Sequence, residues 1–120
     1  MSFSEINMLE SKLDIIVTKI NQILSTEEKM QTWKLTASGT VQGVGFRWSV
    51  QNCAQDLGIN GTVKNNPDST VTIILQANRE QVDEFIKKLP NFISPFAKIK
   101  DINITELAGV EKLHGFHVLY

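Results

Sequence analysis

Between residues 6 and 24 apolar side chains return at alternating steps of three and four: Ile6, Leu9, Leu13, Ile16, Ile20 and Ile23. This spacing predicts an amphipathic helix carrying an a/d heptad stripe, in a segment without Gly or Pro from Ser2 to Met30. Val17 and Leu24 occupy e positions and widen the stripe, which suits a bundle better than a narrow two-stranded seam. In a parallel dimer Glu5 would meet Glu10, while Lys12 and Lys19 would face Val17 and Leu24, so ion pairs would not support a simple zipper. The stripe fits self-association into a homo-oligomer through residues 6–24, or docking on the chain's own body. Met30 opens MQTWKL, a natural start for a domain spanning 30–120. Residues 1–29 therefore read as an N-terminal amphipathic helical extension, either accessory or the product of a misplaced translation start.

From Trp33 the period shortens to two. Trp33, Leu35 and Ala37 alternate with Lys34, Thr36 and Ser38, the pattern of a strand with one buried face. After GTVQGVG, residues Phe46, Val50, Cys53, Ala54 and Leu57 recur at helical spacing, and Gly58 stands where a helix end favours glycine. GINGTVKN and TVTIILQA read as strands of a hairpin, joined by the turn-forming NNPDS. Val82, Phe85, Ile86 and Leu89 place a second helix over 79–89, stopped by Pro90. KIKDINITEL and GFHVLY supply two last strands, with Phe116, Val118 and Tyr120 alternating in the second. The expected architecture is an α/β (α+β) sandwich: ferredoxin-like βαββαβ with an extra C-terminal strand, preceded by the N-terminal helix.

The chain has 120 residues, enough for one core. Twelve Lys and Arg against 13 Asp and Glu give a net charge of -1, so no whole-molecule field gathers nucleic acid or an anionic membrane. An anion has to be captured by a local site. TVTIILQA lacks the aromatic platform on which RNA-recognition sheets stack bases, so nucleic acid is not an expected partner. The single cysteine, Cys53, forms no internal disulfide, the first residues lack a secretory pattern, and no apolar run approaches the roughly 18 to 20 residues of a membrane span. A cytoplasmic protein with no membrane partner is expected.

Residues 39–47, GTVQGVGFR, carry the chemistry. Gly43 and Gly45 let successive backbone N–H groups turn toward one point, and the following helix adds its unpaired first N–H groups and the positive end of its dipole. Arg47, in that first turn, conflicts with the dipole unless an anion is bound, and its planar fork matches two phosphate oxygens. By itself a Gly-x-Gly with a nearby arginine is more often a plain strand-to-helix turn. Trp48 stands where a dinucleotide fingerprint wants Gly or Ala, and the Gly-Lys-Ser/Thr of a P-loop is absent. Asn65, in GTVKN, would by itself read as a hairpin cap. His114 and His117 have no Cys or carboxylate cluster beside them and read as structural, so no metal or other cofactor is expected. Cys53 reads as a buried small hydrophobe, and Trp48 as either core or site rim.

GTVQGVGFR followed by GTVKN at 61–65 resembles the two signature stretches of the acylphosphatase family, over residues 33–120. The resemblance implies an enzyme hydrolysing small acyl phosphates to carboxylate and inorganic phosphate by in-line attack of water, without a metal. It places a phosphate cradle on Gln42, Gly43, Val44, Gly45 and Phe46, phosphate binding on Arg47, and orientation of the attacking water on Asn65. Thr40 replaces an often basic residue, Thr62 the usual tryptophan, and Asp68-Ser69 a frequent Asp-Gly, so flanking contacts and a hairpin turn are expected to differ. The alternative from another class is a non-catalytic ferredoxin-like module that binds phosphate or serves assembly.

Overall fold

The computed structural model describes residues 11–20 and 30–120. Residues 11–20 are helical (α1), as the heptad spacing predicts, and Leu13, Ile16, Val17 and Ile20 are between 47% and 60% exposed. Ile6, Leu9, Ile23 and Leu24 of the same stripe lie outside the described residues. The chain divides into two compact units, Met1–Met30 and Gln31–Tyr120.

In the second unit β1 (Gln31–Thr40), α2 (Phe46–Asp56), β2 (Asn60–Asn65), β3 (Val71–Ala77), α3 (Arg79–Lys88), a 3₁₀ turn (Leu89–Asn91), β4 (Lys98–Leu107) and β5 (Phe116–Leu119) follow in order. They form one sheet ordered β4-β1-β3-β2-β5. All neighbours are antiparallel except β2 and β5, which run parallel. This is the ferredoxin-like arrangement with β5 as the extra strand.

The two-residue period is realised as a buried row. Leu35 pairs with Ile73 and Ala37 with Val71, all four fully buried, and Phe46, Val50 and Cys53 of α2 with Val82 and Phe85 of α3 complete the core. Burying each such aliphatic or aromatic side chain stabilises by roughly 1.5–3 kcal/mol before chain entropy is subtracted. Local signals agree with these contacts. Asn78 and Gln81 form a reciprocal capping box at the start of α3, with Gln81 N–H donating to Asn78 Oδ1 (2.8 Å) and Asn78 N–H to Gln81 Oε1 (2.9 Å). The second helix ends one residue earlier than its apolar pattern predicts, because Leu89 opens a 3₁₀ turn in which Pro90 needs no N–H donor.

Two features of the β2–β3 hairpin set up the site. Gly61 passes so close to the Ile74 carbonyl that a side chain would collide with backbone, which brings β2 tight against the sheet. The turn is tied by Asn66: its N–H donates to the Thr70 carbonyl (2.8 Å), and Nδ2 donates to Thr70 Oγ1 (2.9 Å) and Thr72 Oγ1 (2.8 Å). Ser69, at φ 74°, occupies the left-handed position that glycine normally fills, and Asp68 Oδ1 steadies it by accepting from the N–H and hydroxyl of Thr70. These bonds hold the Asp68 carboxyl below its ordinary range, the side-chain bond first.

Candidate active site

The strand-to-helix connection after β1 makes the floor of the site. Gly43 and Gly45 have φ of 74° and 72°, which a side chain would strain, and Gly45 is the left-handed N-cap of α2 with no side-chain capping bond. Ser49 N–H donates to the Gly45 carbonyl (3.1 Å), the first bond of the helix. Among the described residues, the N–H groups of residues 43 to 48 have no protein acceptor. The first turn of α2 carries no acidic side chain either, so the helix end and the loop point unneutralised positive dipoles outward. Such a set of unpaired donors at a helix start favours negative charge.

The loop is fastened on two sides. Gln42 Nε2 donates to the carbonyls of Asn66 and Thr70, both at 2.9 Å, locking the loop to the hairpin turn. Ser94 Oγ donates to the Val44 carbonyl (3.2 Å), tying the loop to the segment after the 3₁₀ turn. Fixed in this way, the backbone donors are arranged before any ligand arrives.

Arg47 rises from the first turn of α2. Its Nη1 donates to the Leu119 carbonyl at 3.3 Å, and the guanidinium carbon lies 4.7 Å from the centre of the Tyr120 ring. Among the described residues no carboxylate is within ion-pair distance of Arg47. Its charge is therefore held in place by neutral groups and left uncompensated. Asn65, the last residue of β2, faces the same cavity of about 540 Å³ as Arg47, Gly43, Gly45 and Phe46. Asn65 Oδ1 is buried and has no hydrogen-bond partner. A buried carbonyl oxygen left unsatisfied costs about 1–3 kcal/mol, and this one belongs to a residue that lines the cavity.

Five of the residues expected at the site thus meet in one cavity. Gln42 and Val44 contribute to the loop beside it, Gln42 with its side chain spent on the hairpin. The hairpin-capping role that Asn65 could have played belongs to its neighbour Asn66. Trp48, open between core and rim in the sequence, is rim: it lines the cavity and is 67% exposed. Burial, with a smaller push from Asp56, raises the Cys53 thiol to about 11, and the side chain is fully buried, so it is no nucleophile.

The sequence reading missed the C-terminal wall. His117, Val118 and Tyr120 line the cavity, together with Gln51 on α2. His117 Nε2 is 2.7 Å from the His114 carbonyl, a structural bond for a residue that nevertheless reaches the site. Among the described residues no group of three or more His, Cys, Asp or Glu is placed to hold a metal ion. None of their helices is long and apolar enough to cross a membrane.

A family model described as Acylphosphatase matches residues 33–118. The chain is 43% identical over 91 residues to an acylphosphatase of Lactobacillus gasseri, covering 76% of this chain and 100% of the relative. Among solved structures, the acylphosphatase of Bacillus subtilis superposes with a TM-score of 0.69 at 36% identity, covering 76% of this chain and all of that one. An acylphosphatase of Coxiella burnetii superposes with a TM-score of 0.68 at 31% identity, covering 78% of this chain and 97% of that one.

Proposed function

The chain belongs to the acylphosphatase family and acts as an acylphosphatase, and from this premise we propose how its residues divide the reaction. The observation that carries the reading is the shared cavity, which Asn65 and the uncompensated Arg47 line together with a loop of free N–H groups, while the Asn65 Oδ1 is buried and unpaired. The cradle of residues 42 to 46 and the first turn of α2 receive the phosphoryl oxygens. Arg47 holds two of those oxygens through its fork and offsets the charge that builds on them during transfer. Asn65 Oδ1 accepts a hydrogen bond from water and fixes it on the side of phosphorus opposite the leaving oxygen.

An acyl phosphate is a mixed anhydride, so breaking its P–O bond expels a stable carboxylate and needs no strong general acid. Water supplies the new P–O bond, and one of its protons passes to a phosphoryl oxygen. Products are carboxylate and dihydrogen phosphate. The positive potential comes from amide dipoles and one guanidinium, and the enzyme works without a metal. Purified protein should hydrolyse benzoyl phosphate equally well with and without a chelator. Activity that vanished with chelator and returned with a divalent ion would replace this mechanism by a metal-assisted one.

The reading extends to the whole chain. Residues 30–120 form the catalytic domain, and residues 6–24 assemble it into a homo-oligomer through the stripe that contains Leu13, Ile16, Val17 and Ile20. Support comes from the apolar stripe itself and from relatives whose whole length aligns within 91 residues. A chain beginning at Met30 should be folded, active and monomeric, while the full chain scatters light as a larger particle. A monomeric full chain refutes the assembly role, and loss of folding on truncation assigns the helix to the domain's own core. The buried, unpaired Cys53 suits a reducing compartment, and the enzyme is assigned to the cytoplasm.

A further inference from the structure

In-line displacement puts the attacking water and the leaving group on opposite sides of phosphorus. Asn65 Oδ1, which receives the water, is buried. The acyl group then leaves toward the solvent side of the cavity, where its most exposed large side chains stand. Trp48 is 67% exposed and Tyr120 is 94% exposed, and both line the cavity. A phosphoryl group fills only a small part of about 540 Å³, and the two rings add apolar surface that a phosphate does not use. Tyr120 has a second task, stacking on the Arg47 guanidinium. Trp48 makes no such contact: it sits in the first turn of α2, one residue after Arg47, with its apolar surface facing water. A ring of that size left exposed beside a polar cradle is a surface for an apolar partner.

We propose that Trp48, with Tyr120 beside it, forms the subsite for the acyl group and biases the enzyme toward acyl phosphates with an aromatic or extended apolar acyl group over acetyl phosphate. The proposal rests on the reading of the cradle and Arg47 as the phosphoryl site. Benzoyl phosphate would lay its ring on the indole, whereas the methyl of acetyl phosphate reaches too little of it to matter. Tyr120 is a poor probe because its removal also disturbs Arg47, so the test uses Trp48 in the full-length protein.

The quantity to follow is kcat/KM for benzoyl phosphate divided by kcat/KM for acetyl phosphate, because the intrinsic reactivity of the two anhydrides cancels between variants. Trp48→Ala should lower that ratio by about tenfold, the scale of one aromatic contact. Trp48→Phe should retain most of it. Inhibition by inorganic phosphate, which has no acyl group, should shift by less than about twofold in both variants. An unchanged ratio overturns the proposal, and so does a fall of both rates together with phosphate affinity, which would mark Trp48 as a support for the cradle. Wild-type protein that cleaved neither substrate would overturn the phosphoryl-site reading, and this inference with it.

Discussion

Arg47→Ala should lower kcat for benzoyl phosphate by roughly 100- to 1,000-fold, the usual loss when a preorganised donor to transition-state charge is removed. Phosphate inhibition should weaken in the same variant, because the guanidinium holds the ground-state anion as well. The double effect follows from its surroundings. No carboxylate among the described residues competes for Arg47, and the two groups that hold it, the Leu119 carbonyl and the Tyr120 ring, are neutral. Its charge is therefore aimed without being spent. Arg47→Lys should recover only part of the loss, since an ammonium can neither present a planar fork to two oxygens nor stack on a ring in the same way. Steady-state kinetics with benzoyl phosphate and inhibition by inorganic phosphate measure both terms. If Arg47→Ala kept its phosphate affinity, the side chain would be a solvated one and the cradle would act through backbone donors alone.

Much of this arrangement is legible in the chain because it is local. The two-residue period of Trp33, Leu35 and Ala37 and the helical spacing from Phe46 to Ala54 each act within a few residues, and the structure uses both. The cradle was legible for the same reason, since Gly43 and Gly45 adopt left-handed φ within one loop. What stayed hidden depends on pairing over long separations. The C-terminal residues reach Arg47 only because β5 lies parallel to β2, with Phe116 beside Gly61 and Leu119 beside Lys64, and no periodicity in GFHVLY specifies that neighbour. Tyr120 illustrates the limit: its alternation with Phe116 and Val118 places it on a strand face, whereas β5 stops at Leu119 and the exposed ring stacks on the arginine. The fastening of Gln42 to the hairpin carbonyls, 24 and 28 residues away, is invisible for the same reason.

Asn65→Ala should reduce kcat by roughly 100-fold, about what misplacing a reacting group by an ångström costs, and leave phosphate inhibition nearly unchanged. The split arises because water placement matters only to the reaction, whereas inorganic phosphate is held by Arg47 and the cradle. Stability should hold or rise slightly, since the substitution removes a buried oxygen that the native fold leaves unsatisfied. Asn66→Ala supplies the contrast from the adjacent position. Its side chain donates to Thr70 and Thr72 and does not line the cavity, so its loss should lower unfolding free energy by about 1–2 kcal/mol, read by chemical denaturation. Two asparagines side by side would then separate cleanly, one affecting turnover without stability and the other stability more than turnover. Normal turnover in Asn65→Ala would return that residue to the hairpin and leave the orientation of the attacking water to another polar group lining the cavity, such as Gln51, His117 or the Tyr120 hydroxyl.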